Sequence, residues 1–412
     1  MPNARHPHHA RLAIFAALAL GMFASTPAPA QLPQAPQQGL DLQRFNQGQK
    51  LYEASKYPDA IKVFDSIQKD FPTSGFIPVA NLQLGLCYYF IGDFDQGVAA
   101  LRRNLANKNT QPEVLEDSQA LVPQLLAAKA QKLPPGNPER SSALENAVKE
   151  FDLFLQKFPQ SPEIEQANLG KARSLYLLEK YADATQPLRT NLQKYPTSES
   201  ALDSQFMLAL ILNTQANETA RKATAPGEDK ASAAEYDEAE KLLREIVSKR
   251  TDLAMMNDAQ FQLGEMLSAR GSFAADDKQR DAIFYKALDA YRNTYPNDVV
   301  VQAQNYRIKS LQDRMADAGR RRDTAALRHF QAMIPRVQGK LADITARPDQ
   351  TLAAKIKSAQ IYLELHKDKD RERMNSRVAA PAGVPSSDNV SPRASRRPAA
   401  SKRPGPTAGL NA

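Results

Sequence analysis

Tryptophan is absent from the 412-residue chain, cysteine occurs once, histidine five times, and glycine (17) is outnumbered by proline (28). Each shortage closes off some chemistry. A single thiol cannot form an internal disulfide, so an oxidising compartment would add no staple here. Cys87 sits in an apolar run and reads as a buried, inert core residue. His6, His8 and His9 precede an apolar leader, which leaves His329 and His366 with no metal-ligand spacing. There is no glycine-rich phosphate loop, no Gly-x-Ser-x-Gly elbow and no Cys–His pair. So little glycine argues against a β-sandwich or a glycine-looped nucleotide fold. No cofactor, metal or catalytic residue is expected, and the chain reads as non-enzymatic. A two-carboxylate glycosidase would need a pocket that paired helices rarely supply.

Charge is scarce where a nucleic-acid-binding body would need it. The net charge is +8, but Arg5 and Arg11 lie in the leader. After Met374, Arg377, Arg393, Arg396, Arg397, Lys402 and Arg403 face only Asp388. The body between is near neutral, so no nucleic-acid partner is expected.

The leader, residues 1–30, reads as a secretory signal. Leu12–Ala24 is apolar but shorter than the ~20 residues a spanning helix needs. STPAPA follows, with small residues at Ala28 and Ala30 suited to a signal peptidase. No cysteine follows it, which excludes maturation by lipid attachment. Residues 31–39 form a linker, and the protein is expected to be exported to the periplasm, peripheral to the outer membrane.

What the chain does have is a repeat. KYPDAIKVFDSIQKDFP (56–72) and KYADATQPLRTNLQKYP (180–196) share an aromatic, a small residue three positions on and a closing aromatic-proline pair. The aromatic–small pairs are Tyr57/Ala60, Phe94/Gly97, Tyr181/Ala184 and Tyr236/Ala239, with Leu144/Ala147 a variant. A large apolar residue follows four positions later: Phe64, Leu101, Phe151, Leu188 and Leu243. Spacings of three, four and seven put these residues on one helical face. A small residue lets a partner helix approach, and proline ends the second helix at Pro72, Pro159, Pro196 and Pro296. Ser74, Ser161, Ser198 and Asp298 are suited to cap the next helix. Twelve residues before the small position stand Gly48, Gly85 and Ala172, in a preceding helix that carries Tyr52, Tyr89 and Tyr176.

Each unit is thus helix, turn, helix, and the pattern resembles the tetratricopeptide repeat (TPR) over residues 40–296, in about six units. The polar stretches PPGNPERSS, NETARKATAPGEDKASA and RGSFAADDKQR read as loops inserted in the third, fifth and sixth. The fold class expected is all-α, a superhelical solenoid with C-terminal capping helices. With the leader, the repeats are similar to two envelope groups, the periplasmic coordinator of the Tol–Pal system and the TPR lipoprotein of the β-barrel assembly machine. The second group's lipidated cysteine and the first group's N-terminal coiled coil are both missing. The resemblance implies an envelope scaffold that binds a protein partner, a peptide or helix, on its concave surface. Phe45, Gln49, Tyr52, Tyr89, Arg173 and Tyr176, read as opposite the small packing residues, are the candidate contacts. The competing role for each tyrosine is packing between neighbouring repeats.

Residues 297–374 read as a helical cap. Ile308, Leu311, Met315 and Ala318, then Leu327, Phe330, Ile334, Val337, Leu341 and Ile344, form a coiled-coil-like seam, with Pro335 expected to kink it. Homo-oligomerisation through residues 308–344 is the alternative use of that seam. Leu352, Ile356, Ala359 and Leu363 make one more amphipathic stretch that closes the cap. The tail, 375–412, is rich in Pro, Ser, Ala and Arg and reads as disordered. Its Arg393, Arg396, Arg397, Lys402 and Arg403 suit an anionic wall polymer or lipid. Envelope tethering through that tail is the alternative function.

Overall fold

A computed structural model describes residues 39–378, apart from 199, 224–229 and 250–251. The leader, most of the linker and the tail beyond 378 lie outside the described residues. The chain divides into two compact units between Leu365 and His366, and of the second only the end of the last helix is among the described residues.

Every element among the described residues is a helix. They are α1 (Leu40–Glu53), α2 (Tyr57–Asp70), α3 (Ile77–Ile91), α4 (Phe94–Ala106), α5 (Pro112–Lys132), α6 (Pro138–Lys157), α7 (Ile164–Leu177) and α8 (Tyr181–Lys194). Then follow α9 (Ala201–Lys222), α10 (Lys230–Lys249), α11 (Leu253–Gly271), α12 (Asp277–Arg292), α13 (Asn297–Arg321), α14 (Thr324–Ala346) and α15 (Gln350–Val378). Consecutive helices pack on one another from α1 to α12. Second-neighbour contacts join the odd helices from α3 to α13, and none comparable joins the even ones. The first helix of each pair therefore lies on the inside of the stack and the second outside. This is the expected solenoid of helix pairs.

The small residues fall where two helices press together. Ala60, Ala147, Ala172, Ala184 and Ala239 are fully buried, as are Phe64, Leu101 and Leu188 four residues on. A Cβ on Gly48 would meet the Phe64 ring at 2.6 Å, and one on Gly97 would meet Leu125 at 2.3 Å. The core runs along the chain as successive clusters. One joins α2 to α3 and α4, and the largest runs from α7 through α12 to α15.

Four details differ from the sequence reading. The insertions are short, because α6 begins at Pro138, α9 runs to Lys222, α10 begins at Lys230 and α12 begins at Asp277. Ser74 and Ser161 are not helix caps: their hydroxyls accept from Phe76 N and Glu163 N, in turns that end just before each helix. The seam residues of α13 and α14 pack on each other within the chain, which removes the basis for an oligomer through 308–344. Finally, α15 extends to Val378, four residues into the stretch expected to lack structure.

Candidate functional site

The three tyrosines sit four residues beyond a small residue, so each shares that residue's face. They point at the second helix of their own unit. Tyr52 lies 5.7 Å from Tyr57, Tyr89 6.1 Å from Phe94, and Tyr176 5.5 Å from Tyr181, centroid to centroid. The same aromatic pair thus bridges the turn in three units. Tyr52 also packs on Phe90 of the next unit, and Phe45 packs on Phe64 and Phe76. These aromatics therefore lie on the same face as the small residues, half a helical turn from the opposite face expected of them. All of them stay partly exposed. Burial pushes the Tyr52 hydroxyl above its usual range and the Tyr89 hydroxyl to about 12, with Arg173 opposing the latter.

Gln49 and Arg173 behave differently. Each follows a small residue, Gly48 and Ala172, and so turns away from the partner helix by about 100°. Each also has buried polar atoms with no hydrogen-bond partner: Oε1 of Gln49, and Nε and Nη2 of Arg173. Arg173 is only 5% exposed. Burial lowers its pKa to about 10, opposed by the charges of Asp203 and Tyr89. Gln83 of α3, 2% exposed, has an unpaired Oε1 as well. Unpaired buried donors and acceptors are rare and each calls for an explanation. Sequence reading missed Gln83, because a buried amide and a solvated one look alike in a hydropathy pattern.

A carboxylate completes the inner helices. Burial, with Glu163, Glu116 and Glu113 adding repulsion, raises Asp117 of α5 to about 7. One outer groove, between α4, α5 and α6, is lined by charges that already pair, Lys129 bridging Asp95 and Glu139 at 2.8 Å each. Among the described residues no group of His, Cys, Asp and Glu could hold a metal ion, and no helix is long and apolar enough to cross a membrane. The tail residues Arg393, Arg396, Arg397, Lys402 and Arg403 lie outside the described residues.

A family model described as YfiO, outer membrane lipoprotein, matches residues 138–291, from α6 to α12 and less than half the chain. No curated protein matches. Among solved structures, a tetratricopeptide repeat protein from Parabacteroides merdae is 11% identical, with 74% of this chain and 98% of that one covered and a TM-score of 0.42. A thermophilic TPR protein from Thermus thermophilus is 14% identical, with 53% and 96% covered and a TM-score of 0.36. The TPR2AB domain of yeast Sti1, solved as a pHsp90 complex, is 14% identical, with 60% and 98% covered and a TM-score of 0.20. The described residues thus form an all-helical array of repeated helix pairs, and a segment of the chain is similar to an outer-membrane lipoprotein family. The chain's cysteine, Cys87, is fully buried in α3.

Proposed function

We propose that this chain is an exported, non-catalytic scaffold of the bacterial cell envelope, working in the periplasm at the inner face of the outer membrane. On this reading it holds an extended segment of a protein partner along its inner helices. The observation that carries it is the shared register of Gln49 and Arg173. Two polar side chains at matching places, three helix pairs apart, keep hydrogen-bonding atoms unused in a dehydrated setting. An extended peptide supplies backbone donors and acceptors at regular intervals, and an acidic side chain or terminal carboxylate suits a guanidinium. The partly exposed rings of Tyr52, Tyr89 and Tyr176 flank that line and add apolar edges. The leader and the match to an outer membrane lipoprotein family support the location.

Affinity capture from envelope extracts tests this, comparing wild type with Arg173→Met and Gln49→Leu. The expected result is a partner whose recovery falls at least tenfold in each variant. Melting temperatures should hold or rise, since buried polar atoms without hydrogen-bond partners are replaced by apolar side chains. Undiminished recovery in both variants, or a marked loss of stability in Arg173→Met, would refute the assignment.

A further inference from the structure

The last helix is apolar on two opposite sides. Ala354, Ile361 and Leu365 point inward and join the core cluster that holds Phe284 and Tyr291 of α12. Asn257 Nδ2 donates to Gln350 Oε1, and Lys357 pairs with Glu265, so α15 runs beside α11 in the same direction. On its other side stand Leu352, Ile356 and Leu363, 60%, 53% and 71% exposed, with Ala359 among them and Tyr362 beside them at 57%. At 3.6 residues per turn the two sets are centred about 180° apart. The sequence reading sent the Leu352 stripe inward as part of the cap, and the structure turns it to solvent. A helix that is apolar all round belongs between two layers, and the end of a repeat array normally presents a polar face.

We infer that a second copy of this chain packs on the stripe, its α15 antiparallel to the first. The stripe's spacing of four, three and four reads the same in both directions. Reversal therefore sets Leu352 against Leu363 of the other copy and Ile356 against the small Ala359, leaving no apolar residue unmatched. Lys355 and Tyr362 lie on one flank of the stripe. Antiparallel pairing brings the ammonium of one copy to the ring of the other, twice over. A parallel pair would put the flank residues of the two copies on opposite sides of the seam, with no ammonium brought to a Tyr362 ring, and would align the two helix dipoles. The contact is isologous and closed, as a two-fold requires. One helix face is a small interface, so the dimer should dissociate on dilution through the micromolar range.

Sedimentation equilibrium of the purified chain across a concentration series is the test. The expected mass is twice that of the chain at high concentration, falling to one copy on dilution. Ile356→Glu with Leu363→Glu should give one copy throughout, with an unchanged melting temperature. Thiol pairing checks the geometry and does not depend on that variant folding. A Leu352→Cys chain mixed with a Leu363→Cys chain should cross-link on mild oxidation, while Leu352→Cys alone should not, its thiols lying about 16 Å apart along the helix. Buried Cys87 leaves the background low. A wild-type chain of single-copy mass at millimolar concentration would overturn the proposal. So would dimerisation of the double glutamate variant, or ready cross-linking of Leu352→Cys with itself.

Discussion

Two asparagine pairs recur at matching places in the second and fourth helix pairs. Asn81 Nδ2 donates to Asn104 Oδ1 at 3.0 Å, and Asn104 Nδ2 donates to the Pro78 carbonyl at 2.8 Å and to Ser118 Oγ at 3.0 Å. Asn168, Asn191, the Glu165 carbonyl and Ser204 repeat the pattern. Each set ties a first helix, its second helix and the next unit's first helix through buried, mutually satisfied amides. Satisfied buried networks fix one packing arrangement. Asp117 has no such compensation. Its pKa of about 7 in the folded chain lies above the ordinary carboxylate value near 4. The folded state therefore holds this proton more tightly than the unfolded state. Asp117 lowers stability progressively as pH rises from about 4 to about 7, and the loss is complete above that window. Asp117→Asn should leave the melting temperature near pH 4 almost unchanged and raise it at pH 8. Thermal denaturation at the two pH values reads this directly, and an equal shift at both would refute the assignment.

The turns between paired helices repeat as closely as the side chains do. Ser55, Gly92 and Glu179, each five residues before the small position, have φ of 57°, 81° and 60°. Next to each, the N–H of Lys56, Asp93 or Lys180 donates to a carbonyl five residues back, as in a Schellman ending. Only Gly92 is the residue this conformation favours. Ser55→Gly and Glu179→Gly should each stabilise the chain by about 1 kcal/mol, a left-handed side chain costing about 1–2 kcal/mol against glycine's larger unfolded-state entropy. Denaturant unfolding of the single and double variants measures this, with near-additive gains expected for distant sites. The same turn occurs once more between α13 and α14, where Arg322 has φ 56° and Asp323 N donates to the Ala318 carbonyl. The segment read from sequence as a cap is thus built with the repeat's own turn. Its hairpin escaped the pattern because α13 and α14 meet through large residues and lack the small one.

Over the chain as a whole, Asp252 fixes where that hairpin sits. It caps α11 through Ala254 N and Met255 N, accepts from Gln304 Nε2 at 3.0 Å, and pairs with Arg307 at 2.5 Å and Lys340 at 3.6 Å. Lys340 reaches Asp203 of α9 as well, at 3.3 Å. Burial alone would raise the pKa of Asp252. The two cations overcome it and hold the carboxylate at about 2. Asp252→Asn keeps the shape, removes the charge and leaves Arg307 and Lys340 with less compensation. Breaking a buried pair costs about 3–5 kcal/mol. Because stacked units feel mainly their neighbours, hydrogen exchange should quicken in α9, α11, α13 and α14 and stay unchanged in α1–α4. Equal acceleration at both ends would show that the array unfolds as a single body.

The helix pairs and their stacking were legible in the residues alone. A small residue, an aromatic three before it and a large residue four after it can satisfy one another only on a helix that another helix closely approaches, and Gly48, Ala60, Gly85 and Gly97 lie buried as that demands. The residues also held the direction of Tyr52, Tyr89 and Tyr176, since side chains four apart share a face. What they could not hold is which of two apolar faces gets covered. Leu352, Ile356, Ala359 and Leu363 outweigh Ala354, Ile361 and Leu365 in hydrophobicity, yet the smaller set is inside. Ala354, Ile361 and Leu365 join the core cluster that holds Phe284 and Tyr291 of α12, and Gln350 and Lys357 hold that side inward by reaching Asn257 and Glu265 of α11. Periodicity says that a helix has a face to bury, and only the assembled neighbours decide which face that is.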